Sequence, residues 1–327
     1  MSSTRSRQSS IAEPLSEGAA PWRRLPVWLL PIVLALTGAG PSRSPSPPTI
    51  GLIVQTDSRG ELRPCHCPGS PSGGLSRRSG VFKQLRVGRE PVLVLDGGDF
   101  LPGPADSLPG SLDAVLLEAM ELMDYDAICP GERDLFRGPT ALAGIAARLP
   151  LVCANLTIDG AQPVTVPALR RFERGGRSIV LTGVVDPLLY YRWPGAFEGS
   201  AARLALVDPM EALGALADSL EAADLSVVLA HASLDRILEM APGRPEVDVW
   251  IQGHEPGLSE TPGRVGKAYV IEPGPRSRQI AHFSFDPEAP EKSRLQVLKL
   301  ARSRRSDSRL DRLIEGYETG PAGTRPR

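Results

Sequence analysis

Short apolar runs that each break off at a polar, chemically active cluster constrain this chain more than any other feature. Ile50–Gln55 leads to Asp57, Pro91–Leu95 to Asp99, Ala127–Cys129 to Gly131, Leu225–Leu229 to His231 and Val247–Ile251 to His254. Apolar runs of this length, bounded by turn residues, suit strands buried on both faces. Helical spacing falls between them, over Ser76–Gly88, Leu112–Met123, Thr140–Leu149, Ala212–Ala223 and Ser233–Met240. Further strands are expected at Leu151–Ala154, Arg177–Val185, Lys267–Glu272 and Gln279–Phe285, the last two in a more antiparallel setting. Strands alternating with helices predict a layered α/β domain. Sites in such sheets gather at the carboxyl ends of strands, where these clusters lie.

The chain has 327 residues and an apolar fraction of 41%, enough for a sizeable core. A formal net charge of −1 gives no global field that would attract nucleic acid, so none is expected as a partner. Residues 1–48 are read as a polar N-terminus, a signal peptide or anchor and a Pro/Ser linker. Arg23 and Arg24 precede the apolar run Leu25–Thr37, the plan of an export signal, and the run is short for a membrane span. The expectation is an exported protein, periplasmic or attached to a membrane through this segment and facing outward. The domain itself is placed at 49–290, and 291–327 is read as a basic tail with a short amphipathic helix near Leu310–Tyr317.

The donors at the strand ends are Asp57, Asp99, Glu132, His231 and His254. Carboxylates and imidazoles together suit divalent zinc, manganese or iron. Singly, each has a bland reading as a turn residue or a satisfied core side chain.

Several stretches carry a more specific likeness: Thr56–Gly60, Gly73–Arg78 (Gly-Gly-Leu-Ser-Arg-Arg), Leu95–Phe100 (Leu-Asp-Gly-Gly-Asp-Phe), Gly131–Asp134, Leu229–His231 and Gly253–His254. Together they resemble the calcineurin-like metallophosphoesterases, most closely the 5'-nucleotidase branch, over roughly Ile50 to Asp286. The resemblance implies a single-domain, four-layer α/β/β/α sandwich with a dinuclear metal site. In that plan one ion takes Asp57, Asp99 and two imidazoles, but Arg59 and Pro256 stand at the imidazole positions. The other ion takes Asp99, Glu132 at an Asn position, His231 and His254. One ion is therefore expected rather than two. Arg133 stands where the resemblance implies an acid histidine, and guanidinium stays charged. Arg59 and Arg133 are the candidate catalytic residues: they either bind phosphate oxygens or pair with neighbouring carboxylates. The branch's base-stacking second domain has no counterpart here, so the expected ligand is a small phosphate ester or other anion, not specifically a nucleotide.

Four cysteines remain: Cys65 and Cys67 in Pro-Cys-His-Cys-Pro, Cys129 and Cys153. Three readings stay open: disulfides suited to an oxidising compartment, thiolate metal ligands with His66 as a further donor, or a redox-active pair. The Pro-Cys-x-Cys loop also resembles a sub-branch of exported nucleotidase-like proteins, some with selenocysteine. The sequence thus predicts a phosphoesterase-like hydrolase with a partly degenerate site, or a silent, thiol-redox or metal-binding protein on the same fold.

Overall fold

The computed structural model describes residues 49–65, 68, 71–103, 111–159, 165–191 and 203–320. The N-terminal segment, His66 and Cys67 lie outside the described residues. Two sheets dominate. The first has the order β13-β12-β1-β2-β3 and comprises β1 (Ile50–Gln55), β2 (Val92–Asp96), β3 (Ala127–Ile128), β12 (Gln279–Phe285) and β13 (Arg294–Lys299). The second has the order β10-β11-β9-β8-β6-β5. It comprises β5 (Leu169–Arg174), β6 (Arg177–Val185), β8 (Leu225–His231), β9 (Val249–Gln252), β10 (Gly263–Val265) and β11 (Ala268–Ile271). A small ribbon joins β4 (Leu156–Asp159) to β7 (Arg203–Leu206).

Side-chain alternation sorts the second sheet into two faces. Ile179, Leu181, Val227, Leu229, Val249 and Ile251 join the core of the first sheet. Their sequence neighbours Val180, Val184, Val228, Ala230 and Trp250 form a separate core with Leu213, Leu220, Ile237 and Met240. Those last four come from α6 (Pro209–Gly214), α7 (Ala217–Glu221) and α8 (Leu234–Met240). Across the sheets, Tyr269 of β11 meets Phe283 of β12 with ring centroids 5.0 Å apart. The helices α1 (Leu75–Arg86), α2 (Ser111–Met123), α4 (Gly138–Arg148) and α9 (Ser308–Thr319) contribute Phe82, Met120, Leu142 and Leu310 to the first core. The short α3 (Glu132–Leu135) and α5 (Pro187–Tyr191) follow strand ends at the rim. The layering is α/β/β/α, as expected.

Three local expectations are corrected. Leu151–Ala154 is not a strand but a single parallel bridge between Leu151 and Ile128. The backbone then turns away, with Cys153 N–H bonding Pro167 O and Ala154 N–H bonding Gly183 O. Ala212–Ala223 is two helices, broken after Gly214, a residue of low helix propensity. β11 pairs parallel with β9, and its antiparallel partner is the short β10.

Residues 294–319, read as tail, supply the edge strand β13 and the helix α9. Leu310 and Ile314 are fully buried one turn apart, so the amphipathic face seen in sequence does cover the core. The parallel register of β1 with β2, and of β6, β8 and β9, brings their carboxyl ends to one rim.

Candidate metal centre

The strand ends break sharply. Asp57, Arg59, Asp99 and Glu255 all adopt positive φ, at 54°, 48°, 56° and 42°. Side chains other than glycine avoid this region, and such strain clusters where the surrounding structure imposes a geometry. Here the turns carry the chain directly from a buried strand to a site residue. Gly131 permits the closest approach, because a Cβ there would overlap Asp99 Oδ1.

Asp99, Glu132, His231 and His254 place one ligand atom each within 4.8 Å of one another. All but His254 are buried. His231 Nδ1 donates to Gly97 O at 2.7 Å, which fixes the ring and turns Nε2 toward the carboxylates. Nε2 lies 2.5 Å from Glu132 Oε2 and 3.4 Å from Asp99 Oδ1. His254 Nδ1 lies 3.3 Å from Glu132 Oε1, and the two rings meet edge to face at 5.5 Å. Burial alone would lower the His231 pKa, but Asp99 and Glu132 outweigh it and raise it to about 10. Burial lifts Asp99 well above the carboxylate range. Burial also acts to raise Glu132, yet the two histidines hold it below its usual value.

These residues fit a divalent ion. Two imidazoles and two carboxylates converge with one ligand atom each, a donor mix that divalent zinc, manganese and iron accept. Among the described residues this is the one such donor group. Asp57 stands outside it. Arg59 Nε holds Asp57 Oδ1 at 2.6 Å, and Arg59 Nη2 reaches Glu255 Oε1 at 3.1 Å. Burial raises the Asp57 pKa against the pull of Arg59. Arg133 donates its backbone N–H to Asp99 Oδ1 at 3.0 Å, and its Nε stands 3.3 Å from Asp99 Oδ2. Both guanidinium groups therefore flank the carboxylates of Asp57 and Asp99, each still about a sixth exposed to the rim (17% and 18%).

Other residues organise the site without having been singled out from the sequence. Asp134 Oδ2 accepts the N–H groups of Asp99 (2.9 Å) and Gly131 (2.8 Å), and its Oδ1 that of Leu101 (2.9 Å). Burial raises its pKa to about 6. Asp96 accepts the Gly98 N–H at 2.8 Å; burial raises it to about 8 despite the opposing charge of the wholly buried Arg78. The signal for Asp134 was local: an acid in the first turn of a helix that has Gly131 as its N-cap.

The cysteines divide. Cys65 is disulfide-bonded, whereas Cys129 and Cys153 are buried free thiols outside the donor group. Cys129 bonds the carbonyls of Pro130 and Val184, and Cys153 bonds Asn155 Oδ1 at 3.4 Å. No described helix is long and apolar enough to cross a membrane.

No protein-family profile matches the chain, and no curated relative is detected. Solved structures do match. A 5'-nucleotidase precursor from Thermus thermophilus aligns with TM-score 0.71 at 20% identity, covering 82% of this chain and 58% of that one. The sulfate thiohydrolase SoxB of the same species aligns with TM-score 0.72 at 17% identity, covering 84% and 61%. The calcineurin-like phosphoesterase YfkN from Bacillus subtilis gives 0.65 at 16% identity, covering 82% and 96%. The chain spans about three fifths of the length of the first two. Its fold is that of the calcineurin-like metallophosphoesterases, in the form shared with the 5'-nucleotidases.

Proposed function

We propose that this protein is an exported, metal-dependent hydrolase of small phosphate esters, with one divalent ion held by Asp99, Glu132, His231 and His254. The convergence of those four donors at one rim carries the reading. Zinc, manganese and iron suit the donor set. When bound, such an ion supplies Lewis-acid polarisation and lowers the pKa of water. The chain's own residues do the rest. His231 is held by Gly97 so that its Nε2 stays aimed inward. Arg59 and Arg133 keep cationic groups beside Asp57 and Asp99, where they match the negative charge on the non-bridging oxygens of a phosphoryl group. Arg133 cannot deliver a proton, so the alcohol leaves with a proton from solvent or from the substrate itself. Export is supported by the charged and then apolar N-terminal segment and by the disulfide at Cys65.

A second reading is a catalytically silent protein that binds metal or works through its thiols. The observation favouring it is that both guanidinium groups are already engaged with the carboxylates they flank. Elemental analysis of the full chain decides, run beside hydrolysis of p-nitrophenyl phosphate. The hydrolase reading expects about one ion per chain, with ion and activity both lost in His231→Ala and Asp99→Asn. An ion bound without any hydrolysis favours the second reading. Activity unchanged in both variants removes the proposed centre.

A further inference from the structure

The four residues of the candidate donor group come from four separate strand ends, and all four meet at one dipeptide, Gly97–Gly98. Asp99 follows it directly. Gly97 O accepts from His231 Nδ1 at 2.7 Å. Gly98 has φ 100°, and a Cβ on it would lie 2.6 Å from Gly131 N, next to Glu132, and 2.8 Å from His231 Nδ1. Thr56 Oγ1 donates to Gly253 O, next to His254, at 2.7 Å and lies 3.3 Å from Gly98 O. Gly98 O also accepts the Asp57 N–H at 2.8 Å. A displacement of this turn therefore reaches every donor together.

Two bonds hold the turn from the sheet side. Gly97 N–H donates to Gln55 O at 3.0 Å, which continues the pairing of β1 with β2. Gly98 N–H donates to Asp96 Oδ1 at 2.8 Å. The second bond needs a particular side chain, and a costly one. Asp96 has no exposed surface, and its Oδ2 accepts no hydrogen bond among the described residues. Interior carboxyls with an unsatisfied oxygen weaken a fold, so the bond to Gly98 needs a compensating role.

Resting on the hydrolase reading above, we propose that Asp96 is a positioning residue for the four donors: its bond to Gly98 N–H sets the Gly97–Gly98 turn, and the turn sets the donors. Asp96 is not itself a ligand and lies outside the donor group. It acts through the Gly97 carbonyl, which keeps His231 Nε2 aimed inward, and through the contacts of Gly98 with the segments that carry Asp57 and Glu132.

The test compares the full chain with Asp96→Ala, which removes the acceptor, and Asp96→Asn, which keeps a side-chain oxygen in its place. Zinc affinity is measured by competition with a chelator, and the absorption bands of the cobalt-substituted protein report ligand geometry. Asp96→Ala is expected to weaken zinc binding about 10–100-fold, with Asp96→Asn restoring it to within about threefold of wild type. The cobalt bands are expected to shift in Asp96→Ala and to return in Asp96→Asn. Asp307→Asn, at the N-cap of α9, controls for lost stability alone, and its zinc affinity is expected to match wild type. Where Asp96→Ala does not fold, Asp96→Leu, which keeps the volume without an acceptor, is read by the same criteria. Zinc affinity unchanged by loss of the acceptor overturns the assignment and leaves the hydrolase reading intact. An Asp96→Asn protein as weak as Asp96→Ala also overturns it, because charge rather than the hydrogen bond would then be at work.

A second readout needs no metal. In the metal-free protein the His231 Nδ1–H, assigned by its absence in His231→Ala, is expected to exchange slowly in NMR spectra of wild type and Asp96→Asn and rapidly in Asp96→Ala. That pattern, with no zinc bound by wild type, supports the positioning assignment and overturns the hydrolase reading. Neither zinc binding nor a protected ring proton in wild type overturns both.

Discussion

Arg59 occupies a costly backbone conformation, φ 48°, in order to place its guanidinium on Asp57. Asp57 is 1% exposed, so removing its counter-charge strands a carboxylate in the interior. Arg59→Leu is expected to cost about 3 kcal/mol in urea denaturation, and Asp57→Asn in the same background to recover more than half of it. Strictly additive effects would show that the pair is not coupled. The four residues of the candidate donor group were legible because each follows an apolar run, and a buried strand leaves few other reasons for an acid or imidazole at its end. Asp134 was not legible as an organiser. Its place in the first helical turn reports only the local bond from Gly131; the N–H groups of Asp99 and Leu101, 35 and 33 residues away, have no local signal. Asp134→Ala is expected to cost about 2–4 kcal/mol, since it leaves those donors unpaired, and to lower ion content because Asp99 loses its anchor. Urea titration and elemental analysis check the two effects separately; loss of stability with ion content unchanged would confine Asp134 to folding.

Elements were legible where periodicity and burial agree. β6 was read with its observed ends, and α1 and α2 within one or two residues. The error at the C-terminal end has a physical source. β13 is an edge strand whose exposed Arg294, Gln296 and Lys299 are separated by half-buried or buried residues, so its composition matches a polar tail. α9 is tied in by Asp307, whose side chain caps Arg309 N–H at 3.1 Å and accepts from Ser79 Oγ at 2.7 Å and Lys83 Nζ at 2.6 Å. Burial would raise the Asp307 carboxyl, but Lys83, Ser79 and Arg309 together hold it well below its ordinary value. A depressed folded pKa contributes stability that is full above the unfolded value, about 3.9, and is lost as pH falls toward the folded one. Asp307→Asn is therefore expected to destabilise by about 1–3 kcal/mol at pH 7. The gap to wild type should narrow below about pH 4 in urea titrations. A pH-independent gap would assign the loss to capping geometry rather than charge.

At the scale of the whole molecule, the second sheet belongs to two cores at once. Ile251 faces the first and its neighbour Trp250 the second, both with no exposed surface. Neither core can open without disturbing the shared strands β6, β8 and β9, so the two are expected to melt as one unit. The same coupling explains how turns at strand ends from both sheets keep four ligand atoms in register. Cys129 and Cys153 lie in the first core at 0% and 1% exposure, and they report on it directly. In a urea series, labelling of those two thiols should rise at the same denaturant concentration as the fluorescence change assigned to Trp250, taken as wild type minus Trp250→Phe. Thiol labelling that precedes the Trp250 change would show the first core opening alone. It would also mean that β3 and the Cys153 segment can reach an oxidant without global unfolding, and that would return weight to a thiol-redox role. Coincident transitions would make these thiols packing groups, protected by the same layers that hold the metal donors.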